Sequence, residues 1–407
     1  SRVFSVAVSF GIAAGLYAVL LLATGSLLAA LGGSAVLVSL PLFAVYQTCV
    51  KFETDGMLAG VWLFAALASW VKTQKASRLR AYGVLVALAF LVHWTSALFA
   101  GVVGVYLLAA WLRRRDPGIG RALGATVAGG VVGIVLLASL MSYLQHGWRA
   151  AASHLTSSFA VRSASIPLPA WWERQRAYFE ANFTAATAGV ALLIVVFLAL
   201  ERLRRRGKEA GPKTSGERLL PVFFFATLAV AAVWLAVFRQ GSFIHKYWQY
   251  WLCFPIATIA AVFVASRKSQ RPAMLLAAAA CAGLVVYQLL AAKDSYAGIV
   301  KEQLGTTEDI AFLQTLREDT FTRFVFVPVS DTPLNQWFQG PLFEYYTDRA
   351  VVASSANQSG LHAGEKALLL RYRQRDEVIA AVSRWSGKAL ANEKCGPRFC
   401  AYDVVEP

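Results

Sequence analysis

Long runs of apolar residues follow one another along most of the chain, and few of them carry polar residues at helical spacing. A run of about 18 residues or more predicts a membrane-spanning helix, because about 20 residues at 1.5 Å rise cross the hydrocarbon core. A large soluble helical core would instead show polar faces at helical period. The pattern therefore predicts an all-α polytopic membrane protein with about ten crossings. The runs are Val3–Leu22, Gly33–Cys49, Gly56–Val71, Ala81–Trp111 (two short helices with a turn near His93–Trp94–Thr95), Ala122–Leu144, Thr184–Leu200, Leu219–Phe238, Trp248–Ala265 and Pro272–Ala292.

The pattern changes after about Lys293, where apolar and polar residues alternate over short distances. Thr306 followed by two acids predicts a helix start, because a hydroxyl caps a helix and acids favour its first turn. Short β-rich runs and a second amphipathic helix predict a small C-terminal α/β domain over residues 293–407, outside the membrane domain of residues 1–292. The β-rich runs are Phe324–Val329, Lys366–Tyr372 and Phe399–Val405, and the helix is Asp376–Trp385.

Composition agrees with this division, since 57% of the 407 residues are apolar and only 15% are charged. Soluble domains run near 45–50% apolar and about 25% charged, so an ordinary soluble protein and a disordered chain are both excluded. The net charge of +16 alone is compatible with a nucleic-acid partner, so the positions of the basic residues decide whether one is expected. They cluster at alternate turns: Lys72–Arg80, Arg113–Arg115 with Arg121, Arg202–Arg218 and Arg267–Arg271.

Turns rich in Lys and Arg stay in the cytoplasm, and one topology satisfies all four clusters. It predicts a multi-pass protein of the cytoplasmic (inner) membrane with its C-terminal domain on the extracytoplasmic side. No basic face with stacking aromatics remains for nucleic acid, so no such partner is predicted. This topology puts Ser1 on the outer side, and at least one further crossing is expected ahead of it.

Cysteine spacing supports an oxidising environment for the C-terminal domain. Cys395 and Cys400 are close in sequence, with Gly396–Pro397 between them to make a turn. This spacing favours a disulfide over two free thiols. A zinc site would need more ligands than this pair offers.

Two carboxylates, Glu53 and Asp55, stand directly before an apolar run on the predicted outer side. An acid near lipid is costly unless it faces a wet cavity or a partner, which indicates a functional site. The alternative is a helix start at which Thr54 or Asp55 is the cap. A divalent ion is conceivable here, but two ligands do not define a metal site, so no metal is predicted.

A second group of polar residues lies on the same predicted side, where Arg239, His245 and Lys246 stand among aromatic residues such as Tyr247. Aromatic residues gather at any membrane surface, but basic residues are normally kept inside. Outside, they suit a phosphate group held by charge-assisted hydrogen bonds.

Two further features are open to two interpretations each. His93 is either a polar residue facing the helix bundle or part of the site. The loop His146–Asn182 carries four arginines and Trp171–Trp172, which predict an amphipathic helix that covers a site or only anchors the chain to the membrane surface.

Four stretches within roughly the first 290 residues form a recognisable arrangement: Arg2 at a helix start, Pro41–Phe43 ahead of the acidic segment Phe52–Leu58, the hairpin Ala87–Thr95, and the aromatic segment His245–Pro255. In this arrangement the chain resembles integral-membrane glycosyltransferases of the GT-C type. The resemblance is to the protein O-mannosyltransferase and aminoarabinose-transferase-like group, which uses polyprenyl-phosphate sugars. Many members of that group have Lys where this chain has His93. The group's catalytic acid usually lies in a first outer loop, which would precede Ser1.

The resemblance implies a glycosyltransferase that moves a sugar, with inversion, from a polyprenyl-phosphate donor to a protein, lipid or glycan acceptor at the outer membrane face. Asp55 carries over as the later family acid that organises the site. Together with the residue pattern, this makes Asp55 and Glu53 the catalytic candidates. The candidate substrate-binding residues are Arg239, His245, Lys246, Tyr247 and His93. No nucleotide cofactor is expected, because the donor arrives already activated.

The alternative function is a polytopic transporter or flippase of lipid-linked sugars. Such a protein is expected to show paired repeats, broken helices and buried charges along a path. The chain has no clear repeat, and its informative polar groups gather at one predicted face, which favours the enzyme.

Overall fold

The computed structural model describes residues 2–46, 52–163, 166–204, 215–316, 319, 324–326, 351–353, 361–370, 379, 380, 383, 386–396 and 399–406. Within these residues the chain divides into two compact units, Ser1–Ser295 and Tyr296–Pro407. The α-helices are Arg2–Thr24 (α1), Leu27–Ser39 (α2), Pro41–Tyr46 (α3), Phe52–Thr73 (α4), Ala76–Val92 (α5), Trp94–Arg114 (α6), Pro117–Leu144 (α7), Trp148–Arg162 (α8), Leu168–Phe183 (α9), Ala185–Arg204 (α10), Ser215–Val237 (α11), Arg239–Ile244 (α12), Cys253–Ala265 (α13) and Arg271–Leu316 (α14), with a 3-10 helix at Lys246–Leu252.

The first unit is a bundle of apolar helices, as expected for a multi-pass membrane protein. Seven helices of the described part are long and apolar enough to span a bilayer. An eighth span results if α9 and α10, which meet at 88°, form one broken crossing. The prediction of a polytopic α-helical membrane protein is confirmed, whereas about ten crossings are not.

Two of the predicted runs explain the lower number. The run Gly33–Cys49 is interrupted where α2 ends at Ser39, because Pro41 forces the preceding residue Leu40 into an extended conformation. The 13 residues of α2 rise about 20 Å, which is less than the roughly 30 Å of a hydrocarbon core. Helix α5 has 17 residues and carries two arginines near its start. Cys49 lies outside the described residues.

The turn predicted near His93–Trp94–Thr95 is confirmed. Helix α5 ends at Val92 and α6 begins at Trp94, with His93 extended between them. The side chain of His93 caps α6 by accepting a hydrogen bond from the backbone N–H of Thr95. The broken hairpin therefore puts an imidazole at the point where two helices meet.

Helices α5 and α7 pack together through glycines. A Cβ atom at Gly129 would lie 2.4 Å from the carbonyl oxygen of Gly83, and one at Gly133 would lie 2.7 Å from the carbonyl oxygen of Ala87. Gly133 follows Gly129 by four positions, so both face α5. Small residues at this spacing allow helices in a membrane to approach closely.

Replacing Gly133 with alanine is expected to lower the free energy of unfolding by about 1–3 kcal/mol, because the added methyl group overlaps the α5 backbone. The control is Gly124→Ala in the same helix, where an added Cβ meets nothing within 4 Å. That variant is expected to be neutral or slightly stabilised through helix propensity. Thermal unfolding in detergent measures both variants, and an equal effect would contradict the close approach.

The basic turns gather at one end of the bundle. A Cβ at Gly118, where α7 begins, would lie 3.9 Å from the side chains of Trp70 and Gln74, where α4 ends. At the end of α13, Arg267 binds Glu201 of α10 through two hydrogen bonds of 3.1 Å. Most of the cluster Arg202–Arg218 lies outside the described residues.

The first half of α4 lies beside the 3-10 helix that leads into α13. A Cβ at Gly60 would lie 2.7 Å from the ring of Trp251, which stacks on Phe99 at 5.3 Å between centroids. Helix α4 therefore carries Glu53 at one end and Lys72 about 30 Å away at the end with the basic turns.

The second unit contains a five-stranded sheet. Its strands are Phe324–Phe326 (β1), Val351–Ala353 (β2), Lys366–Leu370 (β3), Ala389–Cys395 (β4) and Phe399–Val405 (β5), in the order β2-β1-β3-β5-β4. Strand β1 is parallel to both neighbours, and β5 is antiparallel to β3 and β4. The predicted run Phe399–Val405 is confirmed as β5, and the runs Phe324–Val329 and Lys366–Tyr372 are confirmed as far as Phe326 and Leu370, since their last residues lie outside the described part. Strands β2 and β4 were not predicted.

Two helices were predicted after Lys293, one starting at Thr306 and one over Asp376–Trp385. The helix start at Thr306 is wrong, because α14 runs without a break from Arg271 to Leu316. A hydroxyl followed by acids is tolerated inside a helix, so the cap pattern alone does not define a start. The predicted helix Asp376–Trp385 falls mostly outside the described residues.

The predicted disulfide between Cys395 and Cys400 is confirmed, and it joins paired residues of β4 and β5. A group with metal-ligand spacing among the described residues combines Glu393 with these two cysteines. Because the two sulfur atoms are bonded to each other, they are not available as thiolate ligands.

A buried lysine connects the sheet to the segment that precedes it. Lys366 of β3 is 2% exposed, and its ammonium lies 2.5 Å from a carboxylate oxygen of Asp403 and 2.9 Å from one of Asp319. Lys394 reaches Asp319 as well, at 2.6 Å. Burial by itself lowers the pKa of Lys366, but the two carboxylates outweigh it and raise the pKa above 10.5. Burial by itself raises the pKa of Asp319, but Lys394 and Lys366 outweigh it and lower the pKa below 3.8.

These shifts predict that the second unit is less stable in strong acid. The contribution of Asp319 is complete above its unfolded pKa of 3.8 and disappears as the pH falls through the lower folded value. Calorimetry of the full chain in detergent is expected to show an unfolding temperature that falls below about pH 4. The Asp319→Asn variant is expected to lose part of this dependence. An unchanged dependence in that variant would contradict the assignment.

Candidate functional site

A cavity of about 170 Å³ lies at the end of the bundle opposite the basic turns. Its walls come from the start of α4, the α5–α6 break, the end of α8, the end of α11 and the 3-10 helix. Three charged or titratable side chains and five aromatic rings line it. Among the described residues they are Glu53, His93, Arg162, Trp94, Phe159, Trp234, Phe238 and Trp248.

Glu53 reaches this cavity because α4 begins earlier than predicted, at Phe52. Glu53 and Asp55 therefore lie in the first helical turn, where carboxylates interact favourably with the helix dipole. The interpretation of Thr54 or Asp55 as the cap residue is wrong for the same reason. Glu53 is 7% exposed, so its side chain faces the protein interior and not the lipid.

A glycine brings the α5–α6 break close to the start of α4. A Cβ at Gly56 would lie 2.5 Å from Oγ1 of Thr95 and 3.2 Å from Nδ1 of His93. Any larger residue would therefore push His93 away from α4. Gly56 sets the separation between the helix turn that carries Glu53 and the imidazole.

The hydrogen bonds of His93 define which ring nitrogen carries the proton. Nδ1 accepts from the backbone N–H of Thr95 at 3.2 Å and lies 2.8 Å from its hydroxyl oxygen. A nitrogen that accepts a backbone N–H has no proton, so the neutral ring has its proton on Nε2. Ser96 holds the break by placing its hydroxyl 2.6 Å from the carbonyl oxygens of Ala89 and His93. The site therefore contains a neutral imidazole with a donor on Nε2.

Aromatic rings form one wall of the cavity. Trp234 lies 5.5 Å from the ring of His93, 4.6 Å from Phe238 and 4.9 Å from Trp248. Trp234 is 5% exposed, and its indole N–H has no hydrogen-bond partner in the described part of the protein. A buried indole donor is normally satisfied. A polar group of a ligand in the cavity would satisfy it.

The same wall leads to the predicted aromatic and basic segment. The ring of His245 lies 5.6 Å from that of Trp248 and 5.1 Å from that of Tyr247 between centroids, with the rings tilted by 34° and 32°. Gly241 makes room for Trp248, since a Cβ there would lie 2.0 Å from the indole ring. The structure thus connects two of the predicted residues, His245 and Tyr247, to the cavity through Trp248.

Helix α9 holds this segment from outside. Trp171 donates to Oγ of Ser242 at 2.8 Å, and Gln175 donates to the backbone carbonyl of Ser242 at 2.8 Å. Further along α9, Tyr178 donates to the carbonyl of Phe243 at 2.9 Å, and Asn182 donates to Gln249 at 3.1 Å. We call this set of contacts the α9 ladder. The amphipathic helix predicted for the loop His146–Asn182 is confirmed, and its buried face packs on protein.

Only some of the predicted site residues line the cavity among the residues that the structure describes. Glu53 and His93 line the cavity, although 40 positions separate them in the chain. Asp55 is half-buried, two positions from Glu53, and Arg239 begins α12 directly after the cavity residue Phe238. Neither is among the described lining residues. The side chain of Lys246 lies outside the described part of the structure.

Arg162 was not predicted as a site residue. It is exposed at the last position of α8, and its guanidinium forms part of the cavity wall. In the sequence it is one of four arginines in the loop His146–Asn182, and nothing distinguishes it from the other three. The sequence contains a weak indication for Trp234 and Phe238, because two aromatic residues four positions apart stand at the end of an apolar run, just before a basic residue.

Comparison with known proteins finds no family model that matches the chain and no curated protein that matches it. The resemblance noted from the sequence therefore has no support from these comparisons.

Proposed function

We propose that this protein is a glycosyltransferase of the GT-C type, which moves a sugar from a polyprenyl-phosphate donor to an acceptor hydroxyl at the outer face of the cytoplasmic membrane. The observation that carries the proposal is the cavity at the end of the bundle. A buried carboxylate, a neutral imidazole and a guanidinium line it together with aromatic rings. The basic turns at the other end of the helices support a cytoplasmic location for that end, and hence an outer location for the cavity.

The size and walls of the cavity support a small polar ligand with an apolar face. A volume of about 170 Å³ is below the roughly 300–1,000 Å³ of pockets for drug-sized ligands, and it suits one sugar ring. The apolar face of the sugar would lie on Trp234 or Trp248. The indole N–H of Trp234 and Nε2–H of His93 would donate to sugar hydroxyls.

In the reaction, the acceptor hydroxyl oxygen attacks the anomeric carbon of the donor sugar. The new glycosidic bond forms as the bond from that carbon to the phosphate oxygen breaks, and the electron pair leaves with the lipid phosphate. Glu53 accepts the hydroxyl proton as general base. Attack from the face opposite the phosphate inverts the configuration. Asp55, two positions along α4 in the first helical turn, would help to organise this end of the site.

Cationic residues would stabilise the charge that develops on the leaving phosphate. Among the described lining residues Arg162 supplies a cation, and Arg239, His245 and Lys246 belong to the segment that Trp248 connects to the cavity. Tyr247 would add a hydroxyl donor. The lipid chain of the donor would extend into the bilayer alongside the apolar helices.

The test is transfer of radiolabelled sugar from polyprenyl-phosphate donors in liposomes that contain the purified full-length protein. We expect label to move from the lipid to a water-soluble or protein acceptor, without nucleotide. The His93→Ala variant is expected to lose most of this activity, and Asp116→Asn at the other end of the bundle serves as control. No transfer with any donor, together with movement of intact donor lipid driven by ATP or an ion gradient, would overturn the enzyme in favour of a transporter.

A further inference from the structure

A second, separate groove lies at the end of the bundle with the basic turns. It has a volume of about 450 Å³ and runs between α10, α13 and α14. Apolar side chains form its walls, and two alanines leave space along its floor. Among the described residues they include Leu193, Phe197, Phe263, Leu276, Ala273 and Ala277.

The groove faces outward from the bundle. Leu193 and Leu276 are 70% and 71% exposed, although both lie in apolar helices of the membrane unit. Phe197 and Phe263 contact each other edge to face at 6.2 Å across the groove. An open, apolar groove of this kind in a membrane helix bundle suits a hydrocarbon chain as its ligand.

One end of the groove is positively charged. Arg267 lines it, stacks on Phe197 at 4.6 Å, and is held by two hydrogen bonds to Glu201. Lys268 and Arg271 are exposed beside it, and Arg271 begins α14 two residues before Ala273. Lys268 and Arg271 therefore add positive charge to this end of the groove, beside the pair of Arg267 and Glu201.

An apolar groove that ends at a cluster of cations at helix ends matches one class of molecule, a lipid with an anionic head group. A zwitterionic phospholipid would gain little from these cations. None of the described residues that line the groove also lines the cavity that contains Glu53. The groove is therefore a separate site from the one proposed for sugar transfer.

We propose that the groove between α10, α13 and α14 is a binding site for an acidic glycerophospholipid. One acyl chain lies along Leu193, Phe197 and Leu276. The phosphodiester head group contacts Arg267, Lys268 and Arg271. The lipid seals the outward side of three helices at the end of the bundle with the basic turns, where α10 and α13 are joined by the pair Arg267–Glu201.

The experiment measures binding of phosphatidylglycerol and phosphatidylcholine to the purified full-length protein by native mass spectrometry from detergent. We expect phosphatidylglycerol to remain bound at concentrations at which phosphatidylcholine dissociates. Two variants test the two parts of the site. Lys268→Gln with Arg271→Gln removes head-group charge, and Ala273→Trp fills the groove. Each is expected to weaken phosphatidylglycerol binding about tenfold or more.

The matched control is Lys75→Gln with Arg78→Gln, which removes the same charge at another basic turn without touching the groove. It is expected to bind phosphatidylglycerol as the unmodified protein does. An equal loss of phosphatidylglycerol binding in the control would show that general surface charge causes the effect, and it would overturn the proposed site. Undiminished binding of phosphatidylglycerol to the Ala273→Trp variant would also overturn the proposed site. Displacement of phosphatidylglycerol by an equimolar polyprenyl phosphate would overturn the assignment to a glycerophospholipid. Thermal unfolding of each variant shows that the bundle is folded.

Discussion

Replacing Glu53 with glutamine is expected to lower kcat for sugar transfer by about 10²–10⁴-fold, because the amide cannot accept the proton of the acceptor hydroxyl. The substitution keeps the size and shape of a side chain that is only 7% exposed. It leaves the aromatic wall intact, so KM for the donor is expected to change little. Initial rates of label transfer at saturating donor and acceptor measure the effect.

Two further variants make this result specific. Asp55→Asn removes the neighbouring carboxylate, which is half-buried and not among the described lining residues, and is expected to cost less activity than Glu53→Gln. Asp116→Asn removes a carboxylate that caps α7 at the other end of the bundle, and asparagine caps equally well. A larger loss in Asp55→Asn than in Glu53→Gln would transfer the role of base to Asp55. Unchanged rates in both would leave no catalytic role for this helix turn.

Replacing Lys366 with methionine is expected to destabilise the C-terminal unit by about 3–5 kcal/mol. The loss follows because Asp403 would lose its ion-pair partner and Asp319 would keep only Lys394, at 2.6 Å. Here two carboxylates, Asp319 and Asp403, would remain beside an apolar side chain. Limited proteolysis of the full chain, with fragments from residues 296–407 identified by mass spectrometry, reports the opening of this unit.

Lys388 offers a matched control, since its ammonium lies 2.6 Å from Glu406, whose side chain is largely exposed. Exposed pairs contribute about 0–1 kcal/mol, so Lys388→Met is expected to change the cleavage rate little. Equal cleavage rates in the two variants would show that the buried position of Lys366 does not add to its effect.

Periodicity predicted the helices of the first unit well but not how many cross the membrane. An apolar run identifies a helix, whereas its length depends on local breaks such as the one before Pro41. The α5–α6 break at His93 was predictable because two helices had to fit between two basic clusters. The continuous helix α14 was not, because a cap pattern in the interior of a helix resembles one at its start.

The candidate site was predictable only in its chemistry. Glu53 and His93 stood out because polar groups are rare in apolar segments, but their meeting in one cavity depends on the fold. Gly56, which permits the approach, gave no signal because many glycines occur in these helices. Arg162 and Trp234 belong to the cavity through tertiary packing, and no spacing in the sequence relates them to Glu53.

The residues of α9 and the residues they contact in the α9 ladder are expected to tolerate substitution to different degrees. Gln175 and Tyr178 donate to the backbone carbonyls of Ser242 and Phe243, which every amino acid supplies. The ring of Phe243 is therefore replaceable without loss of its bond to Tyr178, whereas replacement of the α9 residues removes the bonds themselves. At Ser242 and Gln249, by contrast, the side chains themselves accept from Trp171 and Asn182. The segment beside the cavity can therefore vary at Phe243 while α9 keeps its backbone in place, whereas variation at Ser242 or Gln249 removes a contact of the ladder.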